Sequence, residues 1–272
     1  MNARHRTATT LLALFLAAAL PVVACAAATA PAGTDAAAGP QKKKKSSDEK
    51  NPQYQYEMGA IALRYGLTDE AVRYGQLAVS LDPDHLDGWK LLGLAYYTKG
   101  EFVLAADAYE KAAAIKPGDG EIQRNLGLAL AEIGEAGRAE EALKKAFAAD
   151  GNAETAFLLG KLYYGAGRYE EALEYALQSI RKDGKSPKAY NLKGVVLNQL
   201  GRHAEAAGSF QAGLVLAPED IGLQVNLGIA NINSNEPAKA KPILEAVLPK
   251  ITDEVLRKRI VEYLGSIKND PK

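Results

Sequence analysis

Few residues in this chain of 272 have the types and spacing that chemistry needs. The one cysteine, Cys25, supplies a single thiol, whereas a disulfide framework or a cysteine-based zinc site needs several. The three histidines, His5, His85 and His203, stand far apart, and the last two fall in predicted turns as exposed residues. The acid pairs Glu140-Glu141 and Glu170-Glu171 fall at predicted helix starts, where negative charge suits the helix dipole. Adjacent residues on a helix do not face one another as an acid–base pair must. No phosphate-binding loop, serine-nucleophile elbow or H-E-x-x-H motif occurs. The balance of 33 basic and 33 acidic residues leaves no cationic excess to displace counterions from a nucleic acid. The expectation is a protein with no catalytic residues, no metal, no cofactor and no small-molecule substrate.

Cys25 has a context of its own. Arg4, His5 and Arg6 precede Leu11–Leu20, an uncharged run of ten that is about half the length a bilayer requires. Pro21-Val22-Val23-Ala24-Cys25 follows and resembles a bacterial lipobox, in which small residues precede the cysteine that receives lipid. The alternative is plain secretion, since Ala24-Cys25-Ala26 also reads as a cleavage site. The expectation is a signal peptide over 1–24, lipidation of Cys25, and an outer-membrane location facing the periplasm, with Ala26 in the place where Asp signals inner-membrane retention. Residues 25–50 are rich in Ala, Pro and Gly and carry Lys42–Lys45. They show no apolar periodicity and are expected to form a disordered tether.

An internal repeat stands behind the tether. Glycines recur at Gly59, Gly93, Gly127, Gly160, Gly194 and Gly228, spaced 34, 34, 33, 34 and 34 residues apart. Twelve residues after each comes an alanine, from Ala71 to Ala240, and seven after each a turn residue: Gly66, Gly100, Gly134, Gly167, Gly201 and Asn235. Such a unit predicts two amphipathic helices of about 12–14 residues around a tight turn. A left-handed residue ends the first helix, and small residues let the two axes approach. Asn51-Pro52 and Ser186-Pro187 predict an N-cap followed by a first-turn proline.

In these registers the chain resembles the tetratricopeptide repeat family over about 52–248. The second unit carries the pattern most fully: Trp89, Leu92, Gly93, Tyr96, Gly100, Ala105, Tyr109, Ala112 and Pro117. The resemblance implies an all-α, right-handed solenoid of six helix hairpins over 51–250. Thr252 opens a further helix to about Lys268 (251–268), with Leu256, Ile260, Leu264 and Ile267 on one stripe, expected to cap the open end. Departures from the pattern mark places to watch. The third unit is one residue short and ends in Asp150-Gly151, the fifth has Lys193 in place of Leu, and the sixth carries Pro237, Pro242 and Pro249.

The resemblance further implies that the face of each first helix turned away from its hairpin lines a concave groove that receives a protein or peptide. At 100° per residue that face holds Tyr56, Lys90, Leu94, Tyr97, Asn125, Leu128, Phe157, Tyr164, Asn191, Asn198 and Asn226. A contiguous apolar row in contact with solvent calls for a partner, and asparagines suit a peptide backbone. The competing expectation is that curvature packs these side chains against one another. The clamp by which some family members hold a C-terminal carboxylate is incomplete: Lys90 is followed by Leu94, and Asn125 by Glu154 and Leu158.

Anchor and repeat number together resemble the pilotin-type lipoproteins of type IV pilus biogenesis. The expected function is a non-catalytic, lipid-anchored interaction scaffold that assists a pilus or secretion complex of the outer membrane, with secretin or pilus components as partners. The alternative is a general periplasmic adaptor that recruits cell-wall enzymes or components of another secretion system.

Overall fold

A computed structural model describes residues 48–268. The predicted signal peptide, Cys25 and nearly all of the predicted tether lie outside the described residues. Among the described residues are thirteen α-helices and no strands. The division into two compact units falls between Gly151 and Asn152, where the short third repeat ends.

The first unit holds three hairpins: α1 (Pro52–Arg64) with α2 (Thr68–Leu81), α3 (Leu86–Lys99) with α4 (Phe102–Ile115), and α5 (Gly120–Glu132) with α6 (Ala136–Asp150). The second unit holds α7 (Ala153–Gly165) with α8 (Tyr169–Lys182), α9 (Pro187–Gln199) with α10 (His203–Leu216), and α11 (Ile221–Asn233) with α12 (Pro237–Val247). A 3₁₀ turn at Leu248–Lys250 then leads into α13 (Glu254–Lys268). Within each unit every helix packs on the next, and first helices of successive hairpins also touch.

Local chemistry explains the boundaries. Gly66, Gly100, Gly134, Gly167 and Gly201 all have φ between 73° and 82°, and Asn235 takes the same left-handed region at φ 59°. Glycine enters that region at little steric cost and asparagine tolerates it best among the rest, so the sixth turn closes without a glycine. The first helices begin at side-chain caps. Asn51 Oδ1 accepts from the Gln53 and Tyr54 amides, Asp119 Oδ1 from Glu121 and Ile122, Asn152 Oδ1 from Glu154, and Asp220 Oδ1 from Leu223. Ser186 stands at the predicted cap position but its side chain makes no capping bond. The final helix starts two residues later than the sequence suggests, because Asp253 Oδ1, not Thr252, accepts from the Leu256 amide at 2.7 Å. Pro242 lies inside α12. It removes one ladder bond, and the freed carbonyl belongs to Ala238, which is exposed to water.

The repeated small residues form the seams. Ala71, Ala105, Ala139, Ala172, Ala206 and Ala240 are all fully buried. A Cβ placed on Gly59, Gly127 or Gly160 would stand 3.2–3.3 Å from the carbonyl of Ala71, Ala139 or Ala172, so the hairpin axes meet there at backbone contact. Larger core side chains sit between successive helices: Tyr109, Ile122 and Leu143 in the first unit, Leu192, Phe210 and Leu244 in the second. Each such burial contributes about 1.5–3 kcal/mol. On α13, Leu256, Ile260 and Leu264 are buried in the second unit's core together with Ile251, as a capping helix requires; the Ile267 side chain lies outside the description.

Candidate functional site: the inner faces of the first helices

The first helix of each hairpin is held on one side by its own second helix and on the other by the neighbouring hairpin. Its remaining face is the row predicted to line a groove. In the first unit Tyr56, Lys90, Leu94, Tyr97, Asn125 and Leu128 are all half-buried. Tyr97 meets Phe102 edge to face with centroids 5.2 Å apart, a favoured aromatic geometry. Burial first, and the charge of Glu132 second, push its hydroxyl up to about 12. Tyr56 lies 5.9 Å from the ring of His85. Lys90 donates to Glu121 Oε2 at 2.8 Å. Partial burial opposes its charge, yet the bond and charge of Glu121 prevail and raise its pKa. The ammonium is thus already paired to the next hairpin. Arg124 Nη1 likewise reaches Asp150 Oδ2 at 3.2 Å.

In the second unit Phe157, Tyr164 and Asn191 are half-buried. Lys188 Nζ stands 4.9 Å over the Phe157 ring and pairs with Glu154. The Tyr164 hydroxyl accepts from Gln199 Nε2 at 3.2 Å, and its ring lies 5.8 Å from that of Tyr169. Burial raises the Tyr164 hydroxyl pKa, against the opposing Gln199 bond.

Two predicted contact residues do not face solvent. Asn226 is 2% exposed and donates to Asn191 Oδ1 at 2.8 Å. Asn198 is 6% exposed, and its Oδ1 lies 3.0 Å from His203 Nδ1. Val195, Val225 and Ile229 around them are buried as well. The first helices α9 and α11 pack on each other, so here the inner face is interior and its asparagines bond one another. The competing expectation holds at these positions; the open part of the second unit's row is Phe157, Lys161, Tyr164 and Asn191.

The histidines also differ from expectation. His85 is the N-cap of α3, its Nδ1 accepting from the Gly88 amide at 3.0 Å. His203 is the first residue of α10, half-buried beside Asn198. Glu140 lies a turn inside α6 and pairs with Lys144 at 2.6 Å, whereas Glu171 is in the first turn of α8 and pairs with Arg168. Among the described residues no group of three or more His, Cys, Asp or Glu is placed to hold a metal ion.

One recurring role escaped the sequence reading. The fourth residue of a unit reaches back six residues and donates to a loop carbonyl: Gln55 Nε2 to Glu49, Trp89 Nε1 to Pro83, Gln123 Nε2 to Pro117 and Gln224 Nε2 to Pro218, at 2.7–3.1 Å. The signal was a long side chain with an N–H donor at one register, in four units of six.

The sequence model of the tetratricopeptide repeat matches residues 56–120 and 157–221. The BBSome complex member BBS4 of Bos taurus is 24% identical over 155 residues, 57% of this chain, and the chain spans 30% of that protein. The crystal structure of the MamA protein aligns at TM-score 0.56 and 25% identity, covering 61% of this chain and 91% of that one. PilF of Pseudomonas aeruginosa aligns at TM-score 0.68 and 17% identity, covering 80% and 99%, which shows a shared fold. Six repeats of the small-residue pattern, six left-handed turns and twelve paired helices agree with these matches, which identify tetratricopeptide repeats over residues 56–120 and 157–221 of this chain.

Proposed function

We propose that this tetratricopeptide scaffold is lipid-anchored through Cys25 at the periplasmic side of the bacterial outer membrane and assists assembly of a type IV pilus or secretion-type complex. Tetratricopeptide repeats bind peptide or protein partners in a groove. The observation that carries the reading for this chain is the row of half-buried aromatic and aliphatic side chains on the inner faces: Tyr56, Leu94, Tyr97 and Leu128 in one unit, Phe157 and Tyr164 in the other. Such residues stay in contact with water unless a partner covers them, and aromatic anchors commonly dominate protein interfaces. The Lys188–Glu154 pair lies beside the Phe157 ring, and with Lys90–Glu121 on the same row of helices it would select register more than affinity.

The envelope part of the reading rests on the lipobox-like Val22-Val23-Ala24-Cys25 and on the pilotin-like combination of anchor and repeats. The test has two arms. Metabolic labelling with a fatty-acid analogue should mark the wild type and not Cys25→Ser; equal labelling of the two, or none, overturns the anchor. Capture with the lipidated chain should retain secretin or pilus subunits, and lose them when Tyr97 and Phe157 are changed to Ala. Retention of cell-wall enzymes instead would favour the general adaptor.

A further inference from the structure

The first hairpin carries an edge that is more open than the equivalent edge of later hairpins. At the tenth position of the unit Ile61 is 44% exposed and Leu162, which opens the second unit's row, is half-buried, whereas Ala95, Ala129, Val196 and Ala230 are 0% exposed. Tyr54, at the third position, is half-buried where Ile122, Thr155, Ala189 and Leu223 are buried. Tyr54, Met58, Ile61 and the C-cap residue Tyr65 follow one another at spacings of four, three and four, and so form one stripe along α1 and its carboxyl end. Tyr65 is 76% exposed. On α2, Leu77 is exposed where the equivalent positions of the next three hairpins carry Lys111, Lys145 and Gln178. Terminal repeats ordinarily turn a polar face outward. At the far end of the second unit α13 provides the cover; this edge has no equivalent among the described residues.

We propose that this edge pairs with the same edge of a second copy of the chain, the two α1 helices lying antiparallel across a two-fold axis. Three observations single out that occupant. First, the stripe is self-complementary. An axis between Met58 and Ile61 sets Tyr54 opposite Tyr65 of the second copy and Met58 opposite Ile61 of the second copy, as an isologous contact requires. Second, the flanking charges match. Glu57 and Arg64 are seven residues apart, both exposed, on one flank of the stripe. In the antiparallel pairing each Glu57 comes within about two residues, or ~3 Å along the axis, of Arg64 of the second copy. Third, the chain's own preceding segment offers the stripe no large apolar side chain. Residues 26–47 contain no Leu, Ile, Val, Met, Phe, Tyr or Trp, and the apolar run before them is removed if Cys25 is processed.

Sedimentation of the full chain in detergent, across a dilution series and corrected for bound detergent, tests the pairing. The wild type should sediment at twice the chain mass. Ile61→Glu combined with Tyr65→Glu should halve it and weaken self-association at least tenfold. Glu57→Arg and Arg64→Glu should each weaken it, and the double exchange should restore it to within about twofold, because exchanged charges meet again only across an antiparallel two-fold. All four positions are exposed or flank the stripe, so the helical circular dichroism of the exchange variants should match the wild type, and the exchange pair alone decides the matter if the stripe variant unfolds. A wild type at the mass of one chain at every dilution overturns the proposal, as does a dimer indifferent to these changes. A monomer whose α1 amides are protected from hydrogen exchange also overturns it, and assigns the edge to the chain's own amino-terminal segment.

Discussion

Gly194 of α9 lies against the ring of Phe210 of α10: a Cβ on the glycine would stand 2.5 Å from Phe210 Cε1. The same partnership of residues sixteen apart holds for Gly93 with Tyr109, Gly127 with Leu143 and Gly228 with Leu244. Where the second member is small, at Gly75 and Ala176, a leucine of the following hairpin fills the space: Leu91 over Gly59 and Leu192 over Gly160. The glycine register therefore serves two packing solutions with one residue type.

Gly194→Ala should destabilise the fold by about 1–3 kcal/mol through overpacking. Phe210→Leu in the same chain should recover part of that loss, since the two changes share one cavity. Denaturant unfolding of the two single variants and the double checks it; strictly additive losses would deny the contact.

Ala105 is fully buried at the seam of α3 and α4. Ala105→Leu should cost about 1–3 kcal/mol, read as a lower urea midpoint at unchanged slope. Deleting 252–272 should uncover the surface that Leu256, Ile260 and Leu264 bury and bring on aggregation. An intact, monodisperse truncated chain would remove α13 from its capping role.

Tyr97→Ala and Phe157→Ala should each weaken partner binding at least tenfold, the effect of losing an anchor of about 2 kcal/mol. The α4 and α8 controls Glu110→Ala and Glu174→Ala should change it little. Circular dichroism must stay the same for the comparison to hold. Binding that survives the first pair and fails with the second would move the site to the outer helices.

The Tyr97 hydroxyl, raised to about 12 from 10.0 chiefly by burial, makes a pH-dependent contribution of definite sign. The folded state favours the neutral phenol, so its contribution is fully present below the unfolded value near 10 and is lost as pH rises toward 12. Tyr97→Phe, which cannot ionise, should flatten the alkaline decline of stability between those values. An unchanged decline would assign it to other groups.

The repeat was legible because its signals are local. A left-handed turn selects glycine or asparagine, a backbone-close seam selects glycine or alanine, and both recur at a fixed period along the chain. Hairpin pairing and the approximate helix ends follow from those two constraints and the apolar period between them. The sequence could also place Tyr56, Tyr97 and Phe157 on the face turned away from the hairpin, because 100° per residue is a property of one helix. What lies opposite that face is a property of several helices. Asn198 and Asn226 occupy groove registers by sequence, yet α9 and α11 close upon them and they bond His203 and Asn191. Lys90 stands in a groove register by sequence, and only the fold brings Glu121, thirty-one residues on, to 2.8 Å from it. Exposure and pairing depend on the summed angles between hairpins, which no single helix encodes; only the packed structure decided which registers meet water and which meet each other.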